Sequence, residues 1–596
     1  MSARTDAGTV IRTGRRDGWR GWAAAPVALA LLATAIVVAS CAPARGAAGA
    51  GSARRDGHGG LVRLGPVAAE ASLTISLVLA GQAADTLGQT VAAIGDPASP
   101  EYHHYLTPDQ YTQRFGAPPA AVARAESVLR AGGFAILGTS PDGLLVRARG
   151  QARHVERLFG VTIAVYRAAN GQTFYAAGTA AHIPAALTGA VIGVLGLESL
   201  SVAHPVVARL PAALQLGDGY TPAELSQAYD VAPLTQAGLD GANQAVAFAE
   251  IDTFRQSDID TFNNAFNLTS PPVQVVQVGG GAAAADHVSE TTLDIEVVHA
   301  VAPKAQLIAY EGGSDLQSLA QLFNRIVTDH RAHIVSISLG LCERFVMDAT
   351  QAPGNIQDAF DLSGRAFFQS LDSTFQEADA LGVSVLVSSG DTGAYGCNQL
   401  DPSNHALSPS APASSPYVTA VGGTALFTSA GGGYDHEAGW EGALEGAGGG
   451  GGVSQVYQRP SWQTGPGVNN QFSNGMRQVP DISADADPLT GYAIYDSTAN
   501  CSGQDCWGVV GGTSASAPLW AGLVALANQR AGAQGKGPVG FLNPLLYRLG
   551  SAANAPYHDV VAGGNLYFPA TPGWDFSTGW GTPDANAVVP MLAAGH

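Results

Sequence analysis

The stretch GVVGGTSASAPLWAGLVALA, residues 508–527, decides the reading of this chain. Gly511 and Gly512 lead into Thr513 and Ser514, and an apolar helical pattern follows at once. A serine on a tight glycine turn at the mouth of a buried helix has two readings. It caps the helix, since Ser is a favoured N-cap. Or it is a nucleophile, because the unpaired N–H groups and positive end of a helix suit a substrate that develops an oxyanion. The second reading requires a base elsewhere in the chain.

The surrounding pattern is α/β. QAVAFAEI (244–251), AQLIAY (305–310), AHIVSISLG (332–340) and GVSVLVSSGD (382–391) are short apolar runs rich in β-branched residues. Helical stretches such as DLQSLAQLFNRIVTDH separate several of them. Continuous apolar strands alternating with helices predict a parallel sheet covered on both faces, with reactive residues at the carboxyl ends of the strands. Residues 61–203 read differently, as a smaller α+β unit. ASLTISLVLAG and GLLVRARG are strand-like, and AAVARAESVLRAGG and QARHVERLFG are helical. GAGGGGGVS (446–454) reads as a flexible loop that either admits a close-lying peptide or is only a linker.

The chain has 596 residues and a net charge of −19, unevenly spread. Residues 1–219 carry 18 Lys and Arg against 13 Asp and Glu, a net of +5, and residues 220–596 carry 11 against 35, a net of −24. Opposite charge predicts that the two parts attract near neutral pH and that acid weakens the hold. The acidic body argues against nucleic acid as a partner.

Arg12, Arg15, Arg16 and Arg20 precede the apolar run at 22–40, so residues 1–41 read as a signal peptide and 42–60 as a flexible tether. The expected location is therefore outside the cell. Val38-Ala39-Ser40-Cys41 resembles a lipoprotein box, so a membrane partner enters only if Cys41 is lipidated. Four other cysteines allow three pairings. Cys501 and Cys506 enclose only SGQD, which favours a local bridge and leaves Cys342 with Cys397. No CxxC pair or HExxH motif points to zinc.

A subtilisin-like protease would pair Ser514 with the histidine of a His-Gly-Thr motif, and the chain has none. His287 and His299 read as surface or structural. Carboxyls offer themselves instead. HVSETTLDIEVVHAVAP (287–303) has an N-cap candidate in Ser289 and a helical pattern ending near Pro303. Glu290 and Asp294, four apart, share one helix face. Two acids so placed repel and share protons, a way of setting up acid–base chemistry. Glu296, on another face, reads as an exposed acid. Asp391, in VSSGDTGAYGC (387–397), follows a buried strand and sits between glycines. Asp-Thr-Gly is also an aspartic-protease signature, but that class needs two and one is present.

Ser514 with Glu290, Asp294 and Asp391 resembles the sedolisin family of serine-carboxyl peptidases. ETTLDIE, SSGDTGAYGC, SSPYVTAVGGT, GGGVS, VPDISADADPLTGY and GGTSASAP look like family blocks, in family order. DPASPEYHHYLTPDQYTQRFG and VERLFG resemble the family's activation domain. SISLGLCE and YGC look most like the bacterial pseudomonalisin branch, whose members join the two corresponding cysteines. The resemblance implies a subtilisin-like catalytic domain at 220–596, an activation prodomain at 61–203 and a processing linker at 204–219.

It further implies that Ser514 attacks the peptide carbonyl, Glu290 carries the proton, Asp294 holds and tunes Glu290, and a protonated Asp391 donates to the oxyanion. A secreted, acid-active endopeptidase made as a zymogen follows. The alternatives are a tripeptidyl exopeptidase or a catalytically silent surface binding protein. The expected partners are protein or peptide substrates and the chain's own prodomain as inhibitor, and the expected state is a monomer. Leu339 stands where some relatives have Trp, and Glu250 matches a supporting acid in some relatives. HDVVAGGN (558–565) and ATPGWDFSTGWGTP (570–583) resemble the family's site for one Ca²⁺. The implied ligands are the carboxylates of Asp559 and Asp575 and the carbonyls of Val560, Thr571 and Gly573. DISADADP (481–488) reads as turns.

Overall fold

The computed structural model describes residues 62–168, 171–205, 208–209, 219–282, 290–344, 357–399, 404–442, 446–498, 501 and 506–595. The signal segment 1–41, the tether 42–60, His287, Ser289 and most of the processing linker lie outside them. Within that set, no helix is long and apolar enough to cross a membrane.

The apolar runs form one sheet. Strands lie in the order Gln274–Gln277, Gln306–Glu311, Ala245–Glu250, Ile334–Ile337, Ser384–Ser388, Thr419–Thr428. Each of these pairs is parallel, and Ile482–Asp485 adds a further parallel strand beside Thr419–Thr428. Tyr434–Gly439 closes this edge antiparallel. Ile334–Ile337, Ser384–Ser388 and Ile482–Asp485 are wholly buried, as a sheet covered on both faces requires. On one face lies the helix Thr513–Ala533, almost entirely buried, beside the helix Glu290–Val301. On the other lie Leu316–Asp329 and Gln357–Ala380. DISADADP therefore contains a core strand rather than turns alone.

The N-terminal unit is built on a four-stranded antiparallel sheet in the order Ala135–Thr139, Leu145–Gln151, Ser72–Leu79, Val191–Leu195. The helices Pro119–Ala131 and Ala152–Phe159 pack on it. Around this sheet, Leu316–Asp329 and Gln357–Ala380 supply the partner surface. The Ser76 hydroxyl meets the side chains of Gln317 and Gln321 at 2.9 and 3.2 Å, and Asn324 donates to Asp142 at 2.8 Å. Gly193 lies so close to Ala366 that any Cβ there would overlap it. One apolar core runs unbroken from the N-terminal unit through these helices to the sheet.

Candidate active site

Three adjacent parallel strands bring their carboxyl ends together. Ala245–Glu250 ends on Glu250, Ile334–Ile337 is followed by Ser338, and Ser384–Ser388 runs on to Asp391. The helices beginning at Glu290 and Thr513 open toward the same place, and they bring in Glu290, Asp294 and Ser514. Gly512, at φ 105°, makes the turn into the serine helix, a backbone state closed to most side chains.

Every polar group here is buried. The Ser514 hydroxyl faces the Glu290 carboxyl closely enough to oppose the rise in its pKa, but neither group makes a hydrogen bond of good geometry. Burial first, and the neighbouring Asp294 charge second, push Glu290 well above the usual carboxylate range. Asp294 is raised by burial too, against the Ser338 hydroxyl, which lies 2.9 and 2.8 Å from its two oxygens. Glu250 is raised first by burial and then by the neighbouring Asp294 charge. The four positions expected from the sequence are thus brought together, and Ser338, Glu250 and Asp252 join them.

Asp391 is asymmetric. Its Oδ1 accepts the Thr513 N–H at 2.8 Å and the Thr513 hydroxyl at 2.9 Å, while Oδ2 is buried with no partner. Burial lifts its pKa to about 8 despite those two donors. A neutral carboxyl places its proton on the oxygen that accepts nothing, so Oδ2–H is a free donor at the mouth of the serine helix.

The glycine stretch after residue 446 is no spacer. Gly448 to Gly452 are buried, the Gly448 N–H donates to the Asp391 carbonyl at 2.9 Å, and the Gly450 N–H to the Gly390 carbonyl at 2.6 Å. A Cβ at Gly450 would overlap the Ser389 backbone. These residues are glycine because two backbones run against each other beside Asp391. Glu296 also differs from expectation: it is buried and accepts the Tyr495 N–H at 3.0 Å. His299 is a core histidine, lowered by burial to about 4.

Two pieces of the linker flank the site. His204–Pro205 pairs antiparallel with Leu339 and Gly340, immediately after Ser338. Ala208–Arg209 pairs antiparallel with Val510 and Gly511, immediately before the turn into Ser514. Both bridges form, Cys342–Cys397 and Cys501–Cys506, and the first ties the strand that holds the linker to the loop after Asp391.

Near the C-terminus, Asp559 accepts the Gly573 N–H at 3.0 Å and Asp575 the Thr571 N–H at 2.7 Å, so both carboxylates close on the one loop 571–573. Val560 is buried beside them. Two carboxylates with backbone oxygens and no His or Cys form a donor set for a hard cation.

A parallel α/β sheet with a buried serine at a helix mouth and a carboxyl cluster in place of histidine defines a subtilisin-fold serine peptidase. Residues 59–200 match the pro-kumamolisin activation domain and residues 276–541 the subtilase family. The chain is 32% identical to sedolisin of Pseudomonas sp. (strain 101) over 88% of each chain. It is 31% identical to kumamolisin of Bacillus sp. (strain MN-32) over 91% of this chain and 95% of that one. Rat tripeptidyl-peptidase 1 is 27% identical over 89% and 94%. The solved Pseudomonas sedolisin, a serine-carboxyl proteinase complexed with pseudo-iodotyrostatin, superposes with a TM-score of 0.52 at 30% identity, covering 63% of this chain and 98% of that one. This chain belongs to the sedolisin family of serine-carboxyl peptidases and carries the family's prodomain.

Proposed function

We propose that the protein is a secreted, acid-active endopeptidase in which Ser514, Glu290, Asp294 and Asp391 do the chemistry. The observation that carries this reading is the meeting of Ser514, the coupled Glu290–Asp294 pair and the unpartnered Asp391 Oδ2 at the ends of three adjacent strands. Ser514 Oγ attacks the scissile carbonyl carbon and its proton passes to Glu290. Asp294, itself held by Ser338 and Glu250, orients Glu290. The oxyanion takes a hydrogen bond from Asp391 Oδ2–H, which a neutral carboxylic acid can supply and a carboxylate cannot. Collapse of the tetrahedral intermediate releases the amine, which takes the proton from Glu290. Water then repeats the sequence on the acyl-enzyme.

A carboxylate base works at lower pH than histidine does. The linker is held on either side of the site at residues 204–205 and 208–209 in the uncut chain. Its departure admits water and returns Glu290 and Asp294 toward ordinary carboxylate values. Quenched-fluorescent peptides assayed from pH 2.5 to 8 should show a maximum near pH 3–5, and a maximum at or above pH 7 would sink the carboxylate-base reading. Mass spectrometry of the cut sites, with Ser514→Ala as control, separates endopeptidase cuts from tripeptides released at N-termini, the second reading that the tripeptidyl-peptidase relatives favour.

The prodomain and the paired linker are read as an intramolecular inhibitor, with the released enzyme a monomer. Asp559 and Asp575 with the carbonyls of Val560, Thr571 and Gly573 would hold one Ca²⁺, which would tie loop 571–573 to residues 559–560 and take no part in the chemistry. A cation bound only to the native state adds RT ln(1 + [L]/Kd), about 2.7 kcal/mol at a hundredfold excess over Kd. Saturating calcium should therefore raise Tm by several degrees, and Asp575→Ala should abolish that rise. Identical melting curves with calcium and with chelator would remove the site.

A further inference from the structure

Asp252 has no part in the reading above. It lies two residues beyond Glu250, and it is buried. Its carboxylate accepts the N–H groups of Glu290 and Thr291, each at 3.3 Å, and the Thr291 hydroxyl. Glu290 opens its helix, so these N–H groups are among the orphan donors of a helix start. A carboxylate brought in from the neighbouring strand does here what an N-cap side chain does from within the chain, and it also meets the positive end of the helix. Such a cap fixes the backbone of Glu290 itself.

The contact reaches further. Thr291 Oγ lies 3.1 Å from Glu250 Oε2 as well as against Asp252. A hydroxyl has one proton, so one of these two carboxyls meets it with a proton of its own. Glu250 in turn stands close enough to Asp294 for that charge to raise it further. A polar chain thus runs Asp252–Thr291–Glu250–Asp294, and Thr291 and Asp294 both stand on the helix that carries Glu290. Leu339 adds no donor to it.

We propose that Asp252 is a positioning residue for the general base: by capping the helix at Glu290 and Thr291 it holds the Glu290 carboxyl opposite the Ser514 hydroxyl. The proposal rests on the reading of Glu290 as the base. The titratable groups facing Asp252 are Glu250, Glu290 and Asp294 on the site side and Glu311 on the adjoining strand, all of them acids.

The test compares Asp252→Ala, which loses the acceptor, with Asp252→Asn, which keeps an acceptor oxygen. In the mature enzyme Asp252→Ala should lower kcat on the order of tenfold to a hundredfold, the scale of a misplaced catalytic group, with KM within about twofold. Asp252→Asn should recover most of kcat, because its amide oxygen can still accept the N–H groups of Glu290 and Thr291. A cap that only stabilised the helix would lower Tm and leave kcat of the folded enzyme in place, so wild-type kcat in folded Asp252→Ala overturns the proposal. If Asp252→Ala does not fold, Asp252→Ser, too short to reach both N–H groups, takes its place in the same comparison. Glu290→Gln in the same assay separates the two levels of the argument. Activity in Glu290→Gln removes the base assignment and the proposal together. An inactive Glu290→Gln beside unchanged kcat in both Asp252 variants removes the proposal alone.

Discussion

Glu290→Gln should lower single-turnover kcat on the order of 10⁴–10⁶-fold, close to the loss in Ser514→Ala, because nucleophile and base fail as a unit. The amide matches the carboxyl in size but cannot take the proton from Ser514. Asp391→Asn should fall less, by at most about 10²–10³-fold, the scale of one oxyanion donor. Its amide oxygen can still accept the two Thr513 donors, and its NH₂ can still reach the oxyanion. The same variant carries a second signature. Burial lifts Asp391 to about 8 in the uncut chain, and water admitted by the linker's departure lowers it; once it loses its proton it can no longer donate, so the wild type should show an alkaline limb below about 8. In Asp391→Asn that limb should be absent. Rates that rank Asp391→Asn below Glu290→Gln would reverse the two assignments.

The prodomain should bind the catalytic domain more tightly at pH 5 than at pH 7.5, opposite to what the charge split of the sequence predicts. Glu198 of the prodomain is buried against the helix Gln357–Ala380, near Ser363, and burial lifts it to about 8. Glu377, on the same helix, is raised well above the carboxylate range, first by burial and then by Asp142 of the prodomain. A carboxyl whose pKa is raised in the docked state favours docking when protonated. That contribution is fully present below its free pKa, near 4.3, and is lost as pH rises toward the docked value. Each such group weakens docking up to tenfold per pH unit across that window. The exposed charges pull the other way, but an exposed pair contributes about 0–1 kcal/mol and is screened beyond roughly 8 Å at physiological salt. The buried groups decide the sign. A Ser514→Ala precursor nicked within 210–218 should co-elute as two fragments at pH 5 and separate at pH 7.5. Glu198→Gln with Glu377→Gln should flatten that dependence, and fragments that bind better at pH 7.5 would restore the charge-split account.

The strands, and the four candidate positions that the fold brings together, were legible in the sequence through local signals and the family resemblance they carry. β-branched runs mark buried strands, a four-residue spacing marks one helix face, and glycines mark the turns before Asp391 and Ser514. What was not legible depends on partners far away in the chain. Glu296 reads as a surface acid until the Tyr495 N–H arrives 199 residues later. Gly450 reads as a spacer until the Ser389 backbone lies against it. Asp252 is one more loop acid until the helix start at Glu290 is set upon it. Net charge counts Glu198 and Glu377 as ionised groups, although both are buried in the folded chain and raised above the usual carboxylate range.

The two short pairings on either side of residues 206–207 bear on kinetics. A strand joined to its own enzyme competes with free peptide at an effective concentration on the order of millimolar, without any rise in intrinsic affinity. Substrate at ordinary levels does not displace it. A first cut made within the same molecule would be unimolecular, and its half-time would then not change on dilution.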